Sequence, residues 1–387
     1  MKIRILVLAL LFSEASAQQK EGALDVGGYL KYLFSRSSSA VYGDLTDHLI
    51  HGRLNLKWYA SESLTAAGEI RMRAYSGGTV ENTPHFIDQI RTPREFSRLD
   101  AVMWNSKSSV GYAEVDRLWA DWNKGSWQIT VGRQRVAMGT NLVWNPTDLF
   151  NPYSVLDFDY EERPGFDGAR VQYYLGPLSK VEVAVKPSKS SSTMITAATL
   201  TTNSMGYDFH MLIARRGDLW ALGGSWAGDI AGGGFRGEVL ASQRAKQTVV
   251  GAIDPTEADG MMASAALSAD YTFPSSLYLH VESMYNSAGV THDAGLFYPQ
   301  ALGLGLLSPA RWSLFAEVSY NISPLVRGSV FTLHNPIDGS RVYVPMVTWS
   351  IITNLDFSGV ALFFHGDRST EFGGYGQSVY ARLKFAF

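Results

Sequence analysis

The sequence predicts an all-β fold, a closed antiparallel barrel that crosses a membrane with its strands. Three observations lead there. Segments of about ten residues alternate polar and apolar side chains along the chain, the length a tilted membrane-crossing strand needs. Short turns alternate with long loops. The chain also opens with an export signal yet holds no apolar run of the roughly 20 residues that a spanning helix requires.

The signal reads from its parts. Lys2 and Arg4 form a charged start, residues 5–12 are apolar, and Ala15-Ser16-Ala17 fits a cleavage site. Residues 1–17 are therefore expected to be removed and 18–387 to form a single barrel domain. The clearest strand is 51–60, HGRLNLKWYA. His51, Arg53, Asn55, Lys57 and Tyr59 share one face, and Gly52, Leu54, Leu56, Trp58 and Ala60 the other. Residues 64–75 set Leu64, Ile70 and Met72 against Glu69, Arg71 and Arg73. Residues 166–175 set Val171 and Tyr173 against Arg170 and Gln172, and residues 180–186 set Val181, Val183 and Val185 against Lys180, Glu182 and Lys186. In 311–321, Trp312, Leu314 and Val318 oppose Ser313 and Glu317. In 378–387, Val379, Leu383 and Phe385 oppose Arg382 and Lys384.

Short links fall at 61–63, 123–126, 176–177, 273–276 and 323–324, and long ones at 77–109, 137–165, 187–203, 244–260 and 289–310. Trp58, Trp122 and Trp127 stand at the short links, where an interfacial aromatic belt belongs. A soluble sandwich also alternates, but its loops are mostly short, and long loops recurring on one side do not suit it. The apolar face therefore looks out to lipid and the charged face in to a lumen, and the sheet must close because lipid leaves no edge unpaired. We expect sixteen strands, with eighteen as the alternative, because RRGD (215–218) and AGDIAGGG (227–234) both read as turns and cannot both be placed consistently. A barrel of that size encloses a water-filled lumen, with short periplasmic turns and long extracellular loops.

Parity assigns the lumen its charges. Lys31, Arg53, Lys57, Arg71, Arg73, Arg117, Arg170, Lys180 and Lys186 fall inward, against Asp25, Glu69, Asp121 and Glu182. Rings of Arg or Lys bias a pore toward anions, whereas the same charges paired across strands would only stiffen the wall. Arg133 and Arg135 break the pattern, since parity continues the outward set of Trp127, Ile129 and Val131. Either a bulge at Gly132 turns both arginines to the lumen, or the strand has already cleared the bilayer. The following loop carries Asn-Pro at 145–146 and 151–152, with Asp148, Asp157, Asp159, Glu161 and Glu162, a candidate constriction facing the arginines. Asp157, Asp159 and Glu161 also make a weaker calcium candidate, because hard cations take several carboxylate oxygens.

Other chemistry falls away. A net charge of −3 gives no reason to expect nucleic acid as a partner, and the absence of Cys excludes disulfides, thiolate metal sites and Cys nucleophiles. GGGFRG (232–237) opens no helix, GGSWA (223–227) misses the nucleophile elbow, and the eight His are scattered, so no enzyme, metal or cofactor is expected. His280 and Glu282 share an inward face and read as a wall pair.

The cleavable signal, the alternating strands and the terminal Phe387 resemble Gram-negative outer-membrane β-barrels of the porin type. VGRQRVAMGTNLVWNPTDLFNP (131–152) with EERPGFDGARV (161–171) resembles a segment of the alginate-export porin group. The resemblance implies an outer-membrane location and a final strand ending in Phe that the insertion machinery reads. The expected function is passive diffusion of small hydrophilic, anionic solutes. With only residues 18–23 before the first strand, no plug domain is expected there. Two alternatives remain: a scaffold barrel for a secretion or electron-transfer partner, and a hydrolase with its site at the rim.

Overall fold

The computed structural model of the chain describes residues 22–39, 43–91, 96–150, 156, 159, 165–190, 193–243 and 260–387, and the expected signal segment, 1–17, lies outside these. The strands are β1 (Leu24–Ser39), β2 (Gly43–Ser61), β3 (Leu64–Gly77), β4 (Asp100–Asn105), β5 (Ser109–Lys124), β6 (Trp127–Gln134), β7 (Phe166–Gly176), β8 (Ser179–Lys186), β9 (Ile195–Ser204) and β10 (Tyr207–Arg216). They continue with β11 (Leu219–Ile230), β12 (Gly233–Gln243), β13 (Met261–Thr272), β14 (Leu277–Asn286), β15 (Trp312–Ser323), β16 (Val326–His334), β17 (Arg341–Ile352), β18 (Leu355–His365) and β19 (Gln377–Ala386). Helices α1 (Gly78–Asn82) and α2 (Phe86–Ile90) sit in the loop that carries β4, and α3 (Tyr298–Leu304) in the loop before β15.

Each wall strand pairs antiparallel with the next, and β1 closes the ring against β19, from Tyr29 opposite Ala386 to Ser38 opposite Gln377. β4 is the exception. β5 pairs with β3 on one edge; on its other edge β4 takes residues 110–114 and β6 takes 118–124. The wall is thus eighteen strands plus one short extra strand, and the sixteen expected are corrected. The miscount lies between 187 and 243. β9 reads ITAATLTTNS, whose threonines blur the alternation, so in the sequence it passes for part of a long loop. Both turn signals in that region are real turns. RRGD closes the β10–β11 hairpin, and Ala231-Gly232 closes β11–β12 with positive φ at both residues (53° and 83°), as tight hairpin turns require.

The termini and eight tight turns lie at one end of the barrel, and the longer loops lie at the other. The faces are reversed from those of a soluble protein. On β1, Leu30 is 54% exposed while Lys31 beside it is 1% exposed; on β6, Val131 is 54% exposed and Thr130 4%. Trp58, Trp122, Trp127 and Trp349 ring the outer surface near the turns, and Trp104, Trp220, Trp312 and Tyr343 near the loops. The compact apolar cores lie inside the barrel. Val143 and Trp144 of the 135–165 loop pack on Met284, Phe315, Leu333, Val342 and Val360 of the inner wall, and Val136, Met138 and Phe150 pack on Phe166, Ala184, Ala197 and Leu212.

Candidate pore and its lining

A β-bulge shapes the charged side of the lumen. Pairing between β3 and β5 slips where Glu69 faces Arg117 and Ile70 faces Val115, so Asp116 is the extra residue. The slip turns Glu114 and Asp116 inward together with Arg117. Arg53 Nη1 donates to Asp116 (2.6 Å), and its Nη2 pairs with Glu69. Arg71 pairs with Glu114, Arg73 reaches the same carboxylate at 3.4 Å, and Tyr112 donates to it at 3.0 Å. These pairs form a belt across β2, β3 and β5. One cavity of about 400 Å³ lies on its loop side, between Arg71, Glu114 and Asp116 and the segment holding Arg91, Arg98 and Asp100. Another of about 430 Å³ lies on its turn side, lined by Asp25, Asn55, Lys57, Glu69 and Trp119.

Neighbouring strands extend the belt. Lys180 and Gln172 both hold Glu182, at 3.1 and 2.8 Å. Lys57 stacks over Tyr59 and, like Arg170, has no ion-pair partner among the described residues. On β1, Lys31 is buried with Nζ 2.6 Å from the Asp159 carbonyl and 3.4 Å from its carboxylate, which also meets His51 (3.1 Å) and Arg382 (3.9 Å). Burial alone would raise the Asp159 carboxyl. The His51 hydrogen bond and the charges of Lys31 and Arg382 outweigh it and hold the group at about 2. Asp148 of the same loop is buried, and Asp157, Glu161 and Glu162 lie outside the described residues, as does most of the calcium candidate. The Asp159 carboxylate faces cations in this arrangement, and no group of three or more metal-ligating side chains occurs among the described residues.

Arg133 lines the cavity on the loop side of the belt, without the bulge at Gly132 that would have turned it there. Pairing runs through Gly132 without a register shift, leaving Arg133 opposite Leu118 and Asp167. Gly132 takes a φ of +116°, and a Cβ there would overlap the Leu118 carbonyl. Arg133 fills the notch where β6 ends and β4 takes over the edge of β5. It donates to Asp167 (2.7 and 3.1 Å), to the Val115 carbonyl (2.8 Å) and to the Ser97 carbonyl (2.6 Å). Arg135 follows the strand and is exposed.

Two buried glutamates have roles that the sequence reading does not give them. Glu238 on β12 accepts Thr140 N (2.5 Å), Asn141 N (2.9 Å), Thr147 N (3.1 Å) and Thr147 Oγ1 (2.6 Å). Glu282 on β14 accepts Trp144 N (2.6 Å) and Val143 N (3.2 Å). His280 lies 3.6 Å from Glu282 and 3.1 Å from Ser268, both measured to Nε2. A hydrolytic triad needs Ser and acid on opposite ring nitrogens, and this set is buried beneath the loop.

No protein-family model matches the chain, and no curated protein matches it in sequence. Solved structures do match in fold. The chain is similar to the outer membrane protein OprD from Pseudomonas aeruginosa, with a TM-score of 0.58 at 8% identity over 95% of each chain. It is similar to OccK2 (OpdF) of the same organism, solved in complex with glucuronate, with a TM-score of 0.54 at 9% identity over 95% of this chain and 99% of that one. It is also similar to Salmonella typhi OmpF, with a TM-score of 0.51 at 12% identity over 95% of this chain and 98% of that one. The chain has the fold of Gram-negative outer-membrane porins. Its closed ring and apolar outer belt are those of a barrel that spans a membrane.

Proposed function

We propose that the protein is a passive channel for small hydrophilic, anionic solutes and not an enzyme. Residues 1–17 are removed on export, the tight turns face the periplasm and the long loops face outward. The insertion machinery reads the closing strand β19. The observation that carries the reading is the concentration of cations on one wall of the lumen. Lys31, Arg53, Lys57, Arg71, Arg73, Arg117 and Arg170 share the inner face of β1, β2, β3, β5 and β7, and Arg382 and Lys384 join them across the closing seam. The carboxylates of the belt are held by Arg53, Arg71 and Arg73, while Lys57 and Arg170 offer charge to a passing solute. Low-dielectric walls focus that field into the water of the lumen and raise the local anion concentration. The glucuronate bound by OccK2 is a solute of the class proposed here.

Liposome swelling tests the proposal. Proteoliposomes should admit glucuronate faster than glucose, which is of similar size and uncharged. Equal rates would remove the anionic preference, and no swelling with either solute would remove the channel.

A further inference from the structure

Residues 140–147 reach well past the strands that their loop connects. The loop leaves β6 and returns to β7, yet Glu282, which binds its backbone, stands on β14, eight places further round a ring of eighteen and so almost on the opposite wall. Glu238 on β12 is fully buried. Its Oε1 accepts the amides of Thr140 and Asn141, and its Oε2 accepts the amide and hydroxyl of Thr147. Glu282 takes the next pair of amides, those of Val143 and Trp144. Consecutive backbone N–H groups converging on a carboxylate form an anion nest, here with the anion supplied by the wall and the nest by the loop. At the Glu282 pin, the side chains of Val143 and Trp144 are buried in the apolar inner wall of β13–β18. Burying a carboxylate is unfavourable unless its lone pairs are satisfied, and these donors satisfy both.

We propose that Glu238 and Glu282 determine the selectivity of the channel without touching the solute, by pinning residues 138–148 across the lumen. This role rests on the channel reading above. With the segment docked, Val143 and Trp144 pack on the far wall, and the two cavities described above lie along the cationic wall. A solute confined there passes within about one screening length, ~8–10 Å in physiological salt, of the belt of Arg and Lys. With the segment released, solute and ions pass beyond that distance and the wall charges lose their hold on them.

The test uses the whole protein, and the absence of native Cys makes an introduced thiol unique. Val143→Cys, at a buried position, should resist a water-soluble maleimide in the otherwise unaltered protein. Its thiol should react readily when the change is combined with Glu282→Gln or Glu238→Gln, because Gln turns an NH2 donor toward backbone donors. In planar bilayers, Glu238→Gln and Glu282→Gln without the thiol should show a several-fold higher conductance and an anion-to-cation permeability ratio moved toward one. Thr147→Val, which leaves the wall intact and removes one donor, should shift both in the same direction by less, so the test stands even if the wall variants fail to insert. Continued protection of the introduced thiol in the Gln variants would overturn the pinning. A labelled thiol with unchanged conductance and ratio would overturn the role of the pins in selectivity. A wild-type protein that conducts no ions, while the thiol responds as predicted, would instead refute the channel reading alone.

Discussion

At the scale of single residues, period-two alternation separates an inner from an outer set of side chains wherever the pairing is regular. His51 is 1% exposed and Ile50 51%, the inverse of a soluble strand, because the outer solvent is hydrocarbon. Leu56→Arg should therefore reduce stability by ~2–4 kcal/mol if the site lies near the bilayer midplane, whereas Asn55→Arg should be tolerated. Urea unfolding from lipid vesicles measures both. The lumen charges divide into two kinds. Arg53 serves Asp116 and Glu69 at once, so Arg53→Gln takes a charged partner from each of two carboxylates and should lower stability by about 1–3 kcal/mol. Lys57→Gln with Arg170→Gln removes charges that have no ion-pair partner among the described residues. It should lower the anion-to-cation permeability ratio and leave the unfolding midpoint unchanged. Glu114 and Asp116 escape a parity reading because one extra residue reverses it, although the signal is present: strict alternation would put two carboxylates in lipid.

At the scale of elements, loops hold what alternation cannot describe. The 135–165 loop is legible as long and rich in Asn-Pro turns, but its docking partners Glu238 and Glu282 lie about 90 to 140 residues further along the chain, beyond the reach of any local pattern. Parity misdirects Arg133 for a related reason. The side chain fills a notch made by β4, a strand inside a loop that parity along β6 knows nothing of. The docked loops also carry pH dependence. Unfolded, Asp159 keeps its proton up to about 3.8; folded, only up to about 2. The unfolded chain thus binds more protons between these values, and the stability this clasp adds is lost as pH falls through them. Glu371, in the loop before β19, behaves oppositely. Burial, with help from the nearby Asp338 charge, raises it from 4.5 to about 7 against the hydrogen bond from Ser308 (2.8 Å). Folded, it holds a proton that the unfolded chain gives up, so stability falls as pH rises from about 4.5 to 7 and is level above. Amide protection in residues 335–340 and 366–376, taken relative to the intrinsic exchange rate at each pH, should fall over that window in the wild type, and Glu371→Gln should abolish the fall. A pH response that survives the substitution assigns it to another group.

At the scale of the whole molecule, fold class, closure and facing are legible from alternation and turn spacing, and the strand number is not. Sixteen became eighteen because β9 is threonine-rich and because the RRGD turn, at the loop end, is as tight as the turns at the other end. Orientation is checked on intact cells: external protease should cut within 77–109 or 244–260 and spare the turn at 123–126, and cleavage at that turn would invert the assignment. The wall of cations at β1, β2, β3, β5 and β7 is what should act on whatever crosses the barrel. The most direct measurement is the reversal potential of single channels of the purified protein in a planar bilayer under a KCl gradient. A potential displaced toward that of chloride, and collapsing as salt is raised and the wall charges are screened, is the predicted result. A potential at zero or displaced toward that of potassium, from channels that conduct, would contradict it.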